Sequence, residues 1–191
     1  MHLGETNSGL SLPQKLTKLH STPAKASPEH HDPMFGWHRS TYCGSTRQTG
    51  AFRASWAKFY AENRLLAILQ LIGESHGTDQ ELGAGVRAIA DVVVPRLLGN
   101  GHLGGRRGIM PVLIHGDLWH GNKAYGFNPA WETAEDVIFD PSACYCHSEY
   151  EIGIMRIFGG FSAGFFDKYH RLVPKTEPIH EYEDRIRLYG L

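Results

Sequence analysis

The sequence has few cysteines, almost no net charge and no long hydrophobic run. Its three cysteines, an odd number, do not form the framework of a disulfide-rich protein and are typical of a reducing compartment. The formal net charge of −1 gives no electrostatic basis for binding nucleic acid or an anionic membrane. No apolar run reaches the length of a membrane span, and the first residues contain no signal-peptide apolar region. These absences predict a cytoplasmic protein with neither nucleic-acid nor membrane partners, and they leave the oligomeric state open.

The length and composition are typical of a single globular domain. The chain has 191 residues, of which 41% are hydrophobic and 20% charged. Residues 1–11 are polar and rich in Gly and Ser, so we predict a disordered N-terminal tail followed by one domain over residues 12–191. Apolar residues at helical spacing predict helices over residues 12–20, 55–72, 78–98, 148–169 (interrupted at 159–160) and 181–191.

Finer features of these helices can also be predicted. The helix over residues 55–72 has a wide apolar face, which indicates deep burial. Thr78 with Glu81, and Ser148 with Glu151, match the capping-box pattern at a helix start. The proline-containing stretch from Ser21 to Gly50 is predicted to be an irregular loop.

The most informative stretch runs from Val112 to Asn122 and is followed by residues 137–141. Each piece begins as a short apolar run typical of a buried strand, and the polar residues Asp117 and Asp140 follow these runs. Asn122 lies five positions after Asp117, which is the Asp-x-x-x-x-Asn spacing of the protein-kinase catalytic loop. We expect two neighbouring strands, joined by a hairpin-like excursion, to bring the three side chains into one cleft.

This pattern has a chemical interpretation. Asp117 would accept the proton of a substrate hydroxyl as the hydroxyl attacks a γ-phosphate. Asn122 and Asp140 would supply the oxygen ligands that Mg²⁺ prefers, and His115 would hold the loop by hydrogen bonding. The alternative is that Gly116-Asp117 and Gly121-Asn122 are ordinary turn residues. The three positions taken together favour the kinase interpretation.

Two other constellations indicate different metal chemistry. His115, Asp117 and His120 form H-x-D-x-x-H, which suits zinc or iron in a hydrolase, although its spacing assigns no further ligand. Cys144-Tyr-Cys146-His147 resembles half a zinc site, for which buried free thiols are the simpler interpretation.

On these motifs the sequence resembles the fructosamine-3-kinase family, also called ketosamine-3-kinases or protein-ribulosamine 3-kinases. The resemblance covers residues 12–191 and rests on HGDLWHGN at 115–122, IFDP at 138–141 and HSEYE at 147–151. It implies an α+β, mainly helical fold: the C-terminal lobe of a protein-kinase-like (aminoglycoside phosphotransferase-like) structure, with a small β-hairpin at the active site.

The resemblance also implies a function. Members of this family phosphorylate the 3-hydroxyl of ketosamines, using ATP, in a deglycation repair step. By this analogy Asp117, supported by His115, is the general base, and Asn122 and Asp140 hold Mg²⁺ and thereby ATP. Trp119 would pack against the sugar face, or else serve as a buried hydrophobic anchor. The substrates would be glycated proteins or small ketosamines.

The sequence departs from the family pattern in several places. The family usually has Asp at Glu151, a carboxylate expected to brace the catalytic loop, and Asn and Trp at Gly50 and Phe52. The sequence Glu-Tyr-Glu at 149–151 resembles that of fungal members of the family. Family members also carry an ATP-covering small lobe before the equivalent of Leu12. The GxGxxG match at 99–104 follows a predicted helix rather than a strand, so it is interpreted as a connecting loop.

The eleven residues before Leu12 are too few to form such a lobe. We therefore expect the chain alone to be a poor kinase or inactive. Two alternatives stay open. One is an inactive remnant or binding module of the same family, and the other is a sibling phosphotransferase that acts on another small hydroxyl compound.

Overall fold

The computed structural model describes residues 10–25, 32–128 and 133–191, which form α-helices and three two-stranded sheets. The predicted mainly helical α+β architecture is confirmed in outline. Residues 1–9 of the predicted tail lie outside the described residues. The α-helices are α1 (Leu12–His20), α2 (Trp56–Tyr60), α3 (Ala67–His76), α4 (Gln80–Ala88), α5 (Val94–Leu98), α6 (Ser148–Phe158), α7 (Ala163–Leu172) and α8 (Tyr182–Tyr189). The strands are β1 (Thr41–Cys43), β2 (Thr46–Gln48), β3 (Val112–Ile114), β4 (Lys123–Asn128), β5 (Thr133–Ile138) and β6 (Cys144–Cys146).

Helices α2 and α3 form one continuous rod through a π-helical segment, Ala61–Leu66. The predicted deep burial is correct only for its first part. Trp56, Phe59 and Tyr60 are at most 2% exposed, whereas α3 has no buried residue and Ile72 is exposed. The apolar face of α3 lines an open cavity instead of packing into the core.

Helices α4 and α5 are likewise continuous, through the π-helical segment Ile89–Val93. That segment lies immediately before the turn containing Pro95, whose ring and missing N–H disturb regular helical hydrogen bonding. The predicted Thr78–Glu81 capping box is wrong. Asp79 is the N-cap, because its carboxylate accepts from the Leu82 amide at 3.0 Å and lies one residue closer to the helix start.

The strand pairing differs from the sequence prediction. Strand β3 pairs antiparallel with β6, with Leu113 opposite Tyr145, and β4 pairs with β5 as the predicted hairpin. The sequence predicts that the strands preceding Asp117 and Asp140 are neighbours. This prediction is wrong, because β3 and β5 belong to different sheets. A further hairpin, β1–β2, occupies part of the predicted loop over residues 21–50.

Two apolar clusters lie on either side of α6. Tyr150 contributes to an aromatic cluster around Trp56, Tyr60 and Tyr189, with ring centroids 5.3–5.9 Å apart. The opposite face of α6 supplies fully buried residues to the second cluster, which contains Leu16, Leu118, Ile152, Met155 and Tyr169. Leu118 belongs to the loop that follows β3, residues 115–122. Its packing against α6 therefore fixes that loop relative to the core.

A buried polar network joins the end of the chain to α6. Arg185 is fully buried and its Nε donates to Glu149 at 2.7 Å. His147 contacts the Tyr189 and Thr176 hydroxyls, each at 2.9 Å. Burial lowers the pKa of His147 to about 4, so this imidazole is neutral at physiological pH.

The cysteines differ from expectation. Cys144 and Cys146 are buried and joined as a disulfide, whereas free thiols were predicted, and Cys43 is free. None of the described helices combines the length and the apolar composition that a membrane span requires.

Candidate active site

The loop after β3 depends on a glycine. Gly116 has a φ of +82°, and a Cβ placed on it would lie 2.1 Å from the Ser142 carbonyl oxygen. Only a residue without a side chain fits this backbone shape and this close approach. The loop therefore passes directly beside the segment that follows Asp140.

A buried carboxylate accepts hydrogen bonds from the backbone of this loop. Glu151, in the first turn of α6, is 0% exposed. It accepts from the backbone amides of His115 at 2.6 Å, of Gly116 at 3.1 Å and of Leu118 at 3.3 Å. The predicted brace is confirmed. The predicted Ser148–Glu151 capping box is wrong, because His147 is the N-cap of α6 and the Glu151 carboxylate points to the loop.

The His115 ring connects the loop to the segment that carries Asp140. Its Nδ1 accepts from the Asp117 amide at 3.3 Å, so its Nε2 carries the proton and donates to the Phe139 carbonyl at 2.9 Å. The Phe139 amide in turn donates to the Asn122 carbonyl at 3.1 Å. Both backbone groups of Phe139 are thus held by the loop, and this fixes the start of the next residue, Asp140.

Asp117 and Asn122 are in contact, and Asp140 is near enough for its charge to raise the pKa of the Asp117 carboxyl. The Asn122 Nδ2 donates to the Asp117 carbonyl at 2.8 Å and to its carboxylate at 3.2 Å, which orients the Asn122 Oδ1 away from Asp117. Asp140 is exposed, and its φ is +58°, the sole positive φ of a non-glycine residue among those described. Strained backbone of this kind is concentrated at functional sites.

The electrostatics of Asp117 suit proton transfer. Desolvation raises the pKa of its carboxyl above the ordinary value, and the negative charges of Asp140 and Glu151 add to this effect. His115 and the Asn122 hydrogen bond act in the opposite direction. A carboxylate with a raised pKa is a stronger base for an approaching hydroxyl.

The donor set fits a hard cation better than a soft one. The Asn122 amide oxygen and the Asp140 carboxylate are oxygen ligands of the kind that bind Mg²⁺. Within residues 10–25, 32–128 and 133–191, no three His, Cys, Asp or Glu side chains are grouped to hold a metal ion, and Cys144 and Cys146 are joined to each other as a disulfide. His120 is exposed and packs its ring against Trp119.

The environment of Trp119 combines features of both predicted roles, which are packing against the sugar face and serving as a hydrophobic anchor. It is partly exposed, and its ring lies 4.9 Å from His120 and 5.8 Å from Phe158. It also covers Gly121, where a Cβ would lie 2.3 Å from the indole. One part of the ring is therefore anchored, and the remainder stays accessible.

One departure from the family pattern has a steric explanation. A Cβ at Gly50 would lie 2.2 Å from the Arg39 carbonyl oxygen and 2.3 Å from that of Trp37. An asparagine does not fit this backbone without a shift. Gly50 is thus a structural position, and it does not line the cavity beside Asp117.

A cavity of about 630 Å³ opens beside Asp117, within the range of small-molecule sites. Its polar lining besides Asp117 includes Cys43, Gln48 and Arg64, and Cys43 and Gln48 lie next to the loop because Cys43 donates to the Gly116 carbonyl and Gln48 donates to Cys43. The remainder is a groove between α3, α4 and α6, lined by apolar residues that include Leu65, Ile68, Leu69, Leu82, Val86, Ile89, Ile154, Ile157 and Phe158.

Sequence reasoning missed these cavity residues, of which Arg64 is the most informative. The available signal was a charged residue inside a predicted apolar helix, next to Leu65 and Leu66. A charge at such a position is usually solvated at the surface, but Arg64 is only 3% exposed.

The chain shares its fold with solved protein structures. It superposes over 93% of its length on the crystal structure of a protein described as a fructosamine-3-kinase, from Haemophilus somnus, with a TM-score of 0.69, 22% sequence identity and coverage of 51% of that chain. At this identity the likeness concerns the fold alone.

The family follows from the sequence comparison. The model of the fructosamine kinase family matches residues 1–191, and the chain belongs to that family. It is 34% identical over 158 residues to ketosamine-3-kinase of Mus musculus, covering 83% of this chain and 46% of the mouse protein. It is 32% identical over 180 residues to a chloroplastic protein-ribulosamine 3-kinase of Oryza sativa subsp. japonica, covering 94% of this chain and 46% of the rice protein. The chain thus spans about half the length of the curated relatives it matches.

Proposed function

We propose that the chain carries the catalytic and acceptor-binding part of a ketosamine 3-kinase, which transfers the γ-phosphoryl group of ATP to the 3-hydroxyl of a ketosamine. The observation that carries this proposal is the contact of Asp117 with Asn122, with the charge of Asp140 acting on Asp117, at a point where Asp117 lines a cavity large enough for a sugar adduct. The names of the relatives support the acceptor class, and a kinase family supports ATP as donor.

The proposed roles follow from charge and hydrogen bonding. Asp117 takes the proton of the acceptor hydroxyl, and Glu151 and His115 keep Asp117 in position. Asn122 and Asp140 hold Mg²⁺, which neutralises charge on the transferred phosphoryl group when it is bound. Trp119 offers its accessible ring face to the sugar. In this proposal the protein accelerates transfer by positioning the reacting groups and by stabilising the charge of the transition state.

The domain organisation is part of this proposal. We assign residues 12–191 to the C-terminal lobe of a kinase-like fold. The sheets of the described residues are two-stranded pairs, so an ATP-covering sheet of the kinase type is not among them. A second candidate is a ketosamine-binding module without transferase activity, in which the cavity beside Asp117 binds the sugar adduct.

Phosphoryl transfer and acceptor binding should be measured separately. Under single-turnover conditions with Mg²⁺ and ATP, fructosyl-lysine, choline and an aminoglycoside are offered as acceptors, and ³¹P–¹H correlation locates the phosphate. The proposal predicts phosphate on O3 of the ketosamine only. Asp140→Asn should weaken transfer and its dependence on Mg²⁺, whereas Asp91→Asn, an exposed aspartate on the π-helical segment, should not. Binding of the ketosamine without any transfer would favour the binding module, and transfer to choline would favour a sibling phosphotransferase.

A further inference from the structure

Arg64 is a buried cation in the cavity wall with an incomplete set of partners. It is 3% exposed, and its Nε is buried without a hydrogen-bond partner. No carboxylate of the described residues lies within ion-pair distance of its guanidinium, as every ion pair recorded among them involves other groups. A buried charge is costly unless it is paired, so this arrangement calls for an anion from outside the described chain.

The partners that Arg64 does have hold it in place without neutralising it. Its Nη1 donates to the Thr49 carbonyl at 3.1 Å and to the Asn63 carbonyl at 3.0 Å, and the guanidinium also donates to the neutral Tyr150 hydroxyl. Its guanidinium carbon lies 4.7 Å from the centre of the Phe59 ring. These contacts fix the planar group against the cavity wall, which is the preorganisation that a carboxylate-binding arginine needs.

The surroundings restrict the ligand further. Asp117 lines the same cavity, so a molecule whose hydroxyl reacts at Asp117 can also reach toward Arg64. The groove continues along Leu65, Ile68, Val86 and Ile154, which offer no charged group to an extended amine side chain. The cavity therefore combines a base for the sugar, a cation for an acid group and an apolar wall.

We propose that this cavity selects ketosamines formed from free apolar α-amino acids, with the α-carboxylate bound by Arg64 and the amino-acid side chain in the apolar groove. This inference rests on the proposed function and adds the chemical class of the amine half of the substrate. A ketosamine on a lysine within a protein has no free α-carboxylate to give to Arg64.

The test compares two ligands that differ in one group. Fructosyl-L-leucine and fructosyl-L-leucinamide are titrated calorimetrically into the full chain without nucleotide, so that binding is measured independently of transfer. Loss of a charge-assisted hydrogen bond predicts a Kd about 10- to 100-fold higher for the amide. Fructosyl-glycine should bind at least about tenfold more weakly than fructosyl-leucine, because it lacks the apolar side chain.

Variants assign the preference to Arg64. Arg64→Met, which removes the buried charge at similar volume, should bind the acid and the amide with equal affinity, and Arg64→Lys should restore only part of the preference. Arg47→Met, on an exposed position of β2, is the matched control and should behave as wild type. Retention of the preference by a folded Arg64→Met would overturn the inference.

The wild-type chain alone is also decisive. Equal affinity for the acid and the amide, or tighter binding of the peptide-like amide, overturns the inference and favours protein-bound ketosamines. A clear preference for the acid, combined with no phosphate transfer from ATP, supports this recognition and counts against the proposed kinase activity. The two proposals can therefore fail separately.

Discussion

The hydrogen bonds of the Glu151 carboxylate to the loop can be tested by measuring the free energy of unfolding. Its two oxygens accept from three backbone amides of the loop at 2.6–3.3 Å, in a site with no solvent exposure. In Glu151→Gln one oxygen becomes an amide NH₂ group. Whichever way the amide is oriented, at least one loop N–H then faces a donor instead of an acceptor.

The magnitude follows from hydrogen-bond energetics. A buried donor left unsatisfied costs about 1–3 kcal/mol, and the remaining bonds lose their charge assistance. Removal of a buried charge offsets part of this loss. We therefore expect Glu151→Gln to lower the free energy of unfolding by about 2–4 kcal/mol, well above the ~0.5 kcal/mol typical of surface substitutions.

The assay is urea unfolding followed by circular dichroism at pH 7.5, together with hydrogen exchange of the His115, Gly116 and Leu118 amides. Glu183→Gln is the matched control, because that carboxylate pairs with Arg156 at 2.7 Å on the surface and should change stability by less than about 1 kcal/mol. A Glu151→Gln chain as stable as the control, with unchanged exchange at the three amides, would show that the Glu151 carboxylate does not stabilise the loop.

Three further predictions concern other parts of the fold. Gly116→Ala should destabilise the chain by about 2–5 kcal/mol in urea unfolding, because of its positive φ and the clash with Ser142, whereas Gly126→Ala, with open space around it, should not. Arg185→Met should cost about 3–5 kcal/mol by leaving Glu149 buried and unpaired, and exposed Arg187→Met little; equal effects would contradict the burial argument. The pKa of His147 is lowered by burial from 6.5 to about 4, so the unfolded chain binds more protons between these values, and stability should fall by up to about 3 kcal/mol as pH drops from 6.5 towards 4. His147→Gln should remove that part of the pH dependence, and a slope identical to wild type in this window would count against it.

The helices could be predicted from the sequence because a local apolar pattern determines them. The helix α1, Leu12–His20, matches its predicted range, and α6 ends at Phe158 before the predicted interruption at Gly159. Strand partners were not predictable in this way. β3 pairs with β6, which lies thirty residues further along the chain, and nothing in either three-residue strand specifies the other.

The candidate site was predictable where its chemistry follows sequence spacing. Asp117 and Asn122 contact each other, as their interval indicated. The role of Glu151 was less clear, because Ser-x-x-Glu fits both a helix cap and a buried brace, and only the burial of α6 beneath the loop decides between them. Arg64 was not predictable as a cavity residue, because its burial depends on Phe59 and the Thr49 segment folding around it.

The most direct test of the account is the effect of Asp117→Asn on phosphoryl transfer and on ketosamine binding, measured in the same preparation at saturating Mg²⁺ and ATP. If Asp117 is the general base, its substitution should lower the single-turnover rate about 10²- to 10⁴-fold, with the Kd of the ketosamine nearly unchanged and Asp91→Asn equal to wild type. An Asp117→Asn chain that transfers phosphate at the wild-type rate would exclude Asp117 as the general base.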